Sequence, residues 1–585
     1  MASIIPSATR CLVSRSFWRL DLGRLSYTLQ TATFLPRGRT LACVTLDRPN
    51  LPQSGKLAQH HTSAHIHSAL ANLETRNQEE EKRKGKKSER MSASPPLPIL
   101  YAEDTPFSEY STAVWGRVFN ARRDFSRRPA AVVQATRKAH VVEAVRLAAE
   151  HGWRVSVRSG GHSWAAWSVR DEALLLDLGG FGKGIGGEEG IVYDSATGVV
   201  SVAPARTGRE VNAYLAGQIG GPGDESVEGV GRWFPGGHCP DVGLGGFLLQ
   251  GGMGWNCKNW GWACENVVAI DVVTADAREL RCSETENADL FWAARGAGPG
   301  FPAIVARFHL RTRPLTGIFQ SLYFYPLDRF EEILSWVIKV CPKASPELEI
   351  VLLALTPPGQ TTPQIMANFL SFSTNPEALI PLHSSHPPRP LATVFANPTS
   401  LPQQYVEQDA ANPPSHRYIS ENAYVSNDAD VPKVLKKAFT ELPTPQSFAL
   451  YFSMNPCSRR RQAGGGAAVA NGAGDDKGES MPDMALSMQS DHYFALYTCY
   501  PDAEDDERCQ GWVNDIMAGV ERDSVGSYLG DADFRYRRTK FWGEEQGKRL
   551  MEVRRKWDPA GRIAGFLDPE DKSRADGLKN EFEWK

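Results

Sequence analysis

Apolar and polar residues alternate over residues 153–158. Trp153, Val155 and Val157 are separated by polar residues, which is the period of a half-buried strand. Upstream, residues 136–152 place apolar side chains at helical spacing and end on Gly152, a residue suited to a left-handed helix cap. The pattern therefore predicts a helix that leads directly into a strand.

Similar patterns predict further elements as far as residue 310. We expect a buried strand at 173–178, a hairpin over 191–202, a short helix at 207–217, a hairpin from 266–274 and 280–282, a helix opened by a capping box of Ser283 and Glu286, and a returning strand at 304–310. Between Gly229 and Gly261 glycine is so dense that neither regular helix nor strand is expected. Aromatic residues interleaved with these glycines indicate a wall against a flat ring.

After Pro314 the pattern changes to strands separated by proline-rich loops. Strands are predicted at 350–355, 448–454 and 493–500, and the glycine-rich insert at 459–476 is expected to be a disordered loop. A last helix is predicted at 544–557 and is stopped by Asp558 and Pro559. The sequence thus mixes helices and strands in an α+β arrangement.

Two glycine-containing motifs carry the candidate chemistry. The predicted strand at 153–158 runs into Arg158-Ser159-Gly160-Gly161-His162-Ser163, and a second motif occupies residues 235–243. Paired glycines expose backbone N–H groups to an anion, so the first motif is a plausible diphosphate cradle. It is not a P-loop, because no Gly-Lys-Ser/Thr follows it. The Gly-x-Gly-x-x-Gly at 182–187 is followed by strand patterns, and we interpret it as a hairpin loop.

These motifs resemble the berberine bridge enzyme-like flavoproteins, which are FAD-linked oxidases of the vanillyl-alcohol oxidase superfamily. The similarity lies in Arg-Ser-Gly-Gly-His-Ser, in Gly-x-Cys-Pro-x-Val-Gly-x-Gly-Gly and in a closing Trp-Gly-Glu…Arg-Leu…Asp-Pro. It extends over residues 100–570 and is weakest in the middle. The resemblance implies an FAD-binding PCMH-type domain, a substrate domain built on an antiparallel sheet, and a C-terminal tail that returns to the FAD domain.

The resemblance also implies boundaries and site residues. We place the FAD domain at 96–316, the substrate domain at 317–525 and the returning segment at 526–585. His162 would bond to the 8α-methyl group of the flavin and Cys239 to its C6 atom. The full set of predicted cofactor-binding residues is Arg158, Ser159, Gly160, Gly161, His162, Ser163, Cys239, Val242, Gly243, Gly245, Gly246, Gly251, Gly252 and Val267.

Two departures from the family pattern affect the expected chemistry. Many relatives have a histidine near the flavin N1 atom where this chain has Phe247, so negative charge on the reduced ring needs another partner, with His238 and backbone N–H groups as candidates. The second departure concerns the catalytic base. Relatives often carry Tyr-x-Asn-Tyr-x-Asp near the end of the chain, whereas this chain has Asp531 at the place of the second tyrosine.

Several residues are therefore open as the base. Asp531 needs burial to become a strong base near neutrality, and Tyr528 has the opposite problem, because the reference pKa values are about 3.9 and about 10. Structural roles are the alternative for both, with Asp531 capping a turn and Tyr528 packing. Further candidates are Tyr493, Tyr497 and Tyr500 on the strand before them.

Composition narrows the class of protein. The 585 residues include 65 basic and 68 acidic ones, so the chain lacks the excess of positive charge that is typical of nucleic-acid-binding proteins. No long apolar run predicts a membrane span. The 10 cysteines include no Cys-x-x-Cys, which argues against a structural zinc site, and no metal is expected.

Residues 1–95 are not expected to belong to the fold. The first fifty are rich in arginine, serine and threonine and poor in acids, as in an organelle transit peptide, and residues 79–87 form a charged run typical of a solvated tether. The alternative is translation from Met91, which would suit a cytoplasmic protein.

The sequence thus predicts an FAD-dependent oxidoreductase. We expect an oxidase that passes hydride from an alcohol or C–H centre of a carbohydrate or secondary metabolite to covalently bound FAD, with O2 as acceptor. Val242 matches a family position where a small valine accompanies oxygen access. The alternatives are a dehydrogenase, an oxidative cyclase of secondary metabolism, or a catalytically silent flavin-binding protein.

Overall fold

Four sheets organise the computed structural model, which describes residues 96–183, 189–221, 231–454, 481–533, 537 and 539–565. The expected N-terminal extension, the insert at 459–476 and most of the Gly-x-Gly-x-x-Gly loop lie outside the described residues. The described residues belong to one compact unit, and the boundaries at 316 and 525 stay predictions. Among the described residues, none of the helices has the length and apolar character needed to cross a membrane.

The strands are numbered in chain order. Their bounds are β1 Ile99–Tyr101, β2 Ala131–Gln134, β3 Val155–Arg158, β4 Leu174–Asp177, β5 Ile191–Asp194, β6 Val199–Val202, β7 Arg232–Trp233, β8 Val267–Thr274, β9 Glu279–Cys282, β10 Ala303–Arg311, β11 Arg313–Pro314, β12 Ile318–Pro326, β13 Leu348–Leu355, β14 Gln364–Ser371, β15 Ala392–Thr399, β16 Arg417–Val425, β17 Phe448–Ser453, β18 His492–Tyr500 and β19 Ser524–Gly526.

Helices cover the sheets and connect them. Their bounds are α1 Phe107–Trp115, α2 Lys138–His151, α3 Gly208–Leu215, α4 Leu244–Leu249, α5 Cys257–Trp260, α6 Ala288–Ala293, α7 Phe330–Val340, α8 Ile380–Ser385, α9 Leu401–Ala411, α10 Val431–Thr440, α11 Asp506–Val520 and α12 Glu544–Trp557.

Two sheets build the N-terminal half. The first has the order β1-β2-β4-β3, with β2, β4 and β3 parallel, and the second is the antiparallel sheet β5-β6-β10-β8-β9. One core lies between them, where Leu176 and Val133 of the first sheet pack with Ile304 and Val273 of the second. The predicted helix–strand unit is confirmed as α2 and β3, and Gly152 has the expected left-handed conformation, with φ of 70°.

The C-terminal half contains a larger antiparallel sheet in the order β15-β12-β14-β13-β17-β18-β16-β19. One face packs on α7, α10 and α11, because alternate residues such as Ile350, Leu352 and Ala354 are fully buried in that core. The intervening residues Val351, Leu353 and Leu355 are only half-buried and point to the opposite face. That second face forms a wall of the cavity described below.

The last helix confirms its prediction and packs on the N-terminal half. The indole N–H of Trp542 donates to Gly296 O at 2.9 Å, and Arg554 donates to Gly300 O at 2.7 Å. Beyond α12, Ile563 forms a parallel bridge with Val155 on β3. The chain after β19 therefore lies against the strand that leads to the first glycine motif.

Two predictions of local structure are wrong. The glycine-rich stretch contains β7, α4 and α5, because tertiary packing outweighs the low helix propensity of glycine: a side chain on Gly245 would collide with Ser159. The capping box at Ser283 is also absent. Instead, α6 begins after Asn287, which has no side-chain cap hydrogen bond, and the Ser283 N–H donates to Glu286 O.

Candidate active site

A cavity of about 1060 Å³ lies between the glycine motifs and the second face of the eight-stranded sheet. The loop after β3, the loop before α4 and the turn at 528–532 enclose it together with β13, β14, β17 and β18. Segments more than three hundred residues apart in sequence thus contribute to one site. Its size and enclosure suit a cofactor with a substrate beside it.

The first motif turns sharply at the end of β3. Gly161 has a φ of 86°, and a side chain there would meet the Arg117 carbonyl carbon at 2.9 Å. The turn brings His162 to the cavity, where its ring stacks on Phe119 with centroids 4.5 Å apart. Glycine at 161 is therefore required by both backbone conformation and space.

The second motif meets the first through two glycines. An added Cβ on Gly160 would lie 2.6 Å from Gly243 N, and one on Gly243 would lie 2.6 Å from Gly160 N. Gly243 also bridges to Thr207, which caps α3. This close approach brings Cys239 and His162 to the same cavity.

The two predicted attachment residues have uncharged side chains near neutral pH. Burial lowers the pKa of His162 to about 4, with Asp241 raising it and Arg117 lowering it. Burial raises the pKa of the Cys239 thiol to about 12, and the charges of Asp531, Asp409 and Asp241 add to the effect. A neutral imidazole has a free lone pair, whereas the thiol must lose its proton before it can bond.

Most of the predicted cofactor-binding residues line the cavity. These are Arg158, Ser159, Gly160, Gly161, His162, Ser163, Cys239, Val242, Gly243, Gly245 and Gly246. Gly251, Gly252 and Val267 do not. Gly251 packs on Leu486, Gly252 packs on Phe247 and Ala263, and Val267 is buried in the core of the five-stranded sheet.

Arg158 has a framework role within the first motif. Its guanidinium donates to Ala113 O, to Val114 O and, at 2.8 Å, to Asp177 Oδ2. Arg117 also pairs with Asp177 and donates to Ser159 O at 2.7 Å. The two arginines thereby fix the turn to its neighbours in the first sheet and to α1.

Asp531 lies in the cavity wall with two tyrosines as partners. Tyr493 donates to Asp531 Oδ2 at 2.5 Å, and Tyr497 donates a second hydrogen bond. Burial raises the pKa of Asp531, while the two tyrosine hydrogen bonds and the charge of His238 oppose that rise. A buried carboxylate of this kind has the properties of a general base.

The other tyrosines have different surroundings. The Tyr528 hydroxyl accepts N–H bonds from Gly252 at 3.1 Å and Met253 at 3.2 Å, which supports an anchoring role at the glycine loop. Tyr500 does not reach the cavity, because its hydroxyl donates to Asp506 at 2.9 Å near the start of α11. Of the candidates for the base, the geometry favours Asp531 with Tyr493 and Tyr497.

Glu349 is a residue of the cavity wall that the sequence analysis did not predict. Glu349 on β13 is 2 % exposed, and its carboxylate accepts a hydrogen bond from His238 Nε2 at 2.8 Å. Nothing in the pattern around residue 349 marks this contact, because the two residues are 111 positions apart. A lone acidic residue at the start of an otherwise apolar strand is the signal that could have indicated it.

Several known proteins are similar to this chain in sequence. Residues 129–283 match the family model for an FAD binding domain. The chain is 35% identical over 485 residues to the FAD-linked oxidoreductase janO of Penicillium janthinellum, and the match covers 82% of this chain and 99% of that protein. The chain belongs to the FAD-linked oxidoreductases.

Solved structures agree with this family. The carbohydrate oxidase from Microdochium nivale, in complex with a substrate analogue, has a TM-score of 0.63 at 22% identity and covers 80% of this chain and 96% of its own. BBE-like 1 of Physcomitrella patens has a TM-score of 0.61 at 19% identity, covering 80% of this chain and 95% of its own. Both are similar to this oxidoreductase in fold.

The residues present fit FAD. A side chain added to Gly246 would meet nothing within 4 Å, so this part of the wall leaves room for a bound group. A neutral imidazole and a thiol, the two side chains predicted to bond to flavin, open on the same cavity. Aromatic side chains such as Phe119, Trp164 and Phe452 provide further apolar surface for a ring.

The glycine contact gives a direct test of this cofactor site. Gly160→Ala would push the two motifs apart, and we expect it to cost about 1–3 kcal/mol of folding free energy and to lower the flavin-to-protein absorbance ratio. Gly511→Ala on α11 is the control, because a Cβ there meets nothing within 4 Å. Unchanged flavin content and melting temperature in Gly160→Ala would contradict the role of the contact.

Proposed function

We propose that this FAD-linked oxidoreductase is an oxidase with FAD bonded to His162 and Cys239, acting on an alcohol or C–H centre of a bulky apolar metabolite. The observation that carries the proposal is the meeting of three groups in one cavity: the two predicted attachment residues and the half-buried Asp531. That arrangement supports catalysis over a silent flavin-binding role.

Bound FAD would supply the hydride acceptor and the means of passing electrons to O2. His162 offers a neutral nitrogen for the first bond, since burial keeps its pKa far below neutrality. Cys239 would form the second bond after losing its thiol proton. Two attachments hold the ring while leaving one side open to a large substrate.

Asp531 would take the proton that leaves the substrate. As the substrate carbon gives up hydride, the alcohol O–H transfers its proton to the carboxylate and a carbonyl remains. Tyr493 and Tyr497 hold the carboxylate in place, and the dry surroundings make it a stronger base than an aspartate in water. With O2 as the final acceptor, the hydride and the proton leave as hydrogen peroxide.

The substrate wall favours an apolar molecule over a carbohydrate. Val351, Leu353, Leu355, Met366 and Leu450 line the cavity and are half-buried. A sugar would leave its hydroxyl groups unpaired against these side chains, which costs free energy for each lost hydrogen bond. The wall thus supports the secondary-metabolite alternative, and the small Val242 beside Cys239 supports access for O2.

Covalent attachment is tested by acid precipitation. We expect the yellow colour of the wild-type protein to stay in the pellet, to stay also when only one of His162→Ala and Cys239→Ala is present, and to pass into the supernatant in the double variant. Cys282→Ala in β9, away from the cavity, should keep the wild-type result. Release of the flavin from wild-type protein would contradict covalent attachment.

Substrate class is tested by peroxide formation under air. We expect polycyclic or long-chain apolar alcohols to be oxidised faster than oligosaccharides, and Leu353→Gln to raise the KM for them about tenfold, since a polar amide disrupts the apolar wall. Val192→Gln on β5, a residue 40% exposed, is the control. Faster oxidation of oligosaccharides would reject the apolar assignment, and turnover with dyes but not O2 would indicate a dehydrogenase.

The base is tested with a substrate identified in that panel. Asp531→Asn should lower kcat by about 10²–10⁴-fold, the usual contribution of a general base. In the wild type, kcat/KM should fall as pH decreases through the raised pKa of Asp531, because only the deprotonated carboxylate accepts a proton. Asp502→Asn on the exposed surface is the control, and full turnover by Asp531→Asn would show that another group is the base.

A further inference from the structure

His238 and Glu349 form a buried charge pair at the cavity wall. His238 Nε2 donates to Glu349 Oε1 at 2.8 Å, and Glu349 Oε2 accepts the Asn256 N–H at 3.0 Å. The carboxylate is thus bonded through both oxygens. A carboxylate so deeply buried needs a cationic partner, and among the described contacts His238 is the residue that supplies it.

The pair is oriented with its positive end toward the cavity. The His238 side chain is 25% exposed, while the Glu349 side chain is 1% exposed. Both residues line the cavity, and His238 immediately precedes Cys239.

The surroundings of His238 favour the protonated ring. Its groups of opposite charge are Glu349 on β13 and Asp531 ahead of α12, and its ring also bonds to the Met253 backbone. Trp255 lies 4.3 Å from the ring centroid, close enough for a cation–π contact, and Phe452 lies at 5.8 Å. Although burial lowers the pKa of His238, the charge and hydrogen bond of Glu349 raise it above the usual value.

The loop that carries His238 is held rigidly. Gly237 bridges to Gly254, and the Trp255 N–H donates to Gly236 O at 3.0 Å. Phe247 packs directly on this loop, because a Cβ on Gly237 would lie 3.1 Å from its ring. The uncharged Phe247, which stands where many relatives have a histidine, therefore packs on the backbone of the loop that carries His238.

We propose that the His238–Glu349 pair is a permanent imidazolium–carboxylate pair whose positive end stabilises the negative charge of the reduced flavin, in place of the histidine that this chain lacks at Phe247. His238 is a positioning charge in this proposal and takes no proton from the substrate. The proposal rests on the proposed function, since it requires bound flavin.

The test is the flavin midpoint potential, measured by redox titration against reference dyes, which needs no substrate. The double variant His238→Gln/Glu349→Gln keeps an amide hydrogen bond and removes both charges. We expect the equilibrium constant for two-electron reduction to fall at least about tenfold, which corresponds to about 30 mV. His238→Lys keeps a cation beside Glu349 and should stay within about threefold of the wild type.

Glu349→Gln gives an independent result within a single variant. Without the carboxylate, the pKa of His238 should fall to its usual range or below. The potential should then match that of the wild type below about pH 6 and drop under it above about pH 7, because the ordinary histidine pKa is about 6.5. His151→Gln on the exposed end of α2 is the control and should follow the wild type at every pH.

Each outcome decides between the two proposals. A yellow double variant with the wild-type potential, or a Glu349→Gln variant that parallels the wild type across the pH range, would overturn the charge role. Loss of flavin from both variants, with retention in His238→Lys, would assign the pair to cofactor retention and would also overturn it. A colourless wild-type protein would instead remove the proposed function itself.

Discussion

The site depends on one close approach between two backbones. Gly160 and Gly243 lie so near each other that a side chain on either would overlap the other's backbone. Because each belongs to a loop that carries one attachment residue, their contact sets the separation of His162 and Cys239. The rest of the fold supports this contact: β3 delivers the first loop, and α3 and α4 hold the second on either side.

Burial keeps His162 neutral, and the charges around it have opposing effects, since Asp241 raises the pKa of the imidazole and Arg117 lowers it. Asp177 accepts hydrogen bonds from Arg117, Arg158 and the Gly179 N–H, so both of its carboxylate oxygens have partners next to the first loop. Arg117 is then left as a cation near His162, where it lowers the pKa of the imidazole in addition to burial. The arginine that opens the motif thus acts through the framework, while the histidine four positions later faces the cavity.

Sequence patterns located the helix–strand unit at α2 and β3 and the C-terminal helix α12, and their bounds agree closely with prediction. The half-buried character expected of β3 is wrong, because its polar residues Ser156 and Arg158 are buried as fully as Val155. The strand predicted at 350–355, which is β13 in the structure, is an unbroken apolar run. In the structure one face of that strand is core and the other is cavity wall, a distinction that an unbroken apolar run cannot carry.

Eleven of the fourteen predicted cofactor-binding residues line the cavity, so the family motifs predicted much of its glycine-loop wall, while binding of FAD by these residues stays a prediction. Contacts between residues distant in sequence could not be predicted. Asp531 bonds to Tyr493, which is 38 positions away, and His238 bonds to Glu349, which is 111 positions away. Such pairs depend on how β13 and β18 lie in the eight-stranded sheet relative to the glycine loops. No local pattern encodes that relation.

The apolar surroundings of the cavity strengthen the electrostatic effect of its charged groups. Electrostatic interactions are stronger where water is excluded, so a carboxylate such as Asp531 becomes more basic and a nearby cation such as His238 acts more strongly on developing charge. The same exclusion makes an unpaired charge costly, which explains why each of these groups has a fixed partner. In the proposed function, Asp531 would use this effect to accept the proton of the substrate, and His238 would use it to stabilise the reduced flavin.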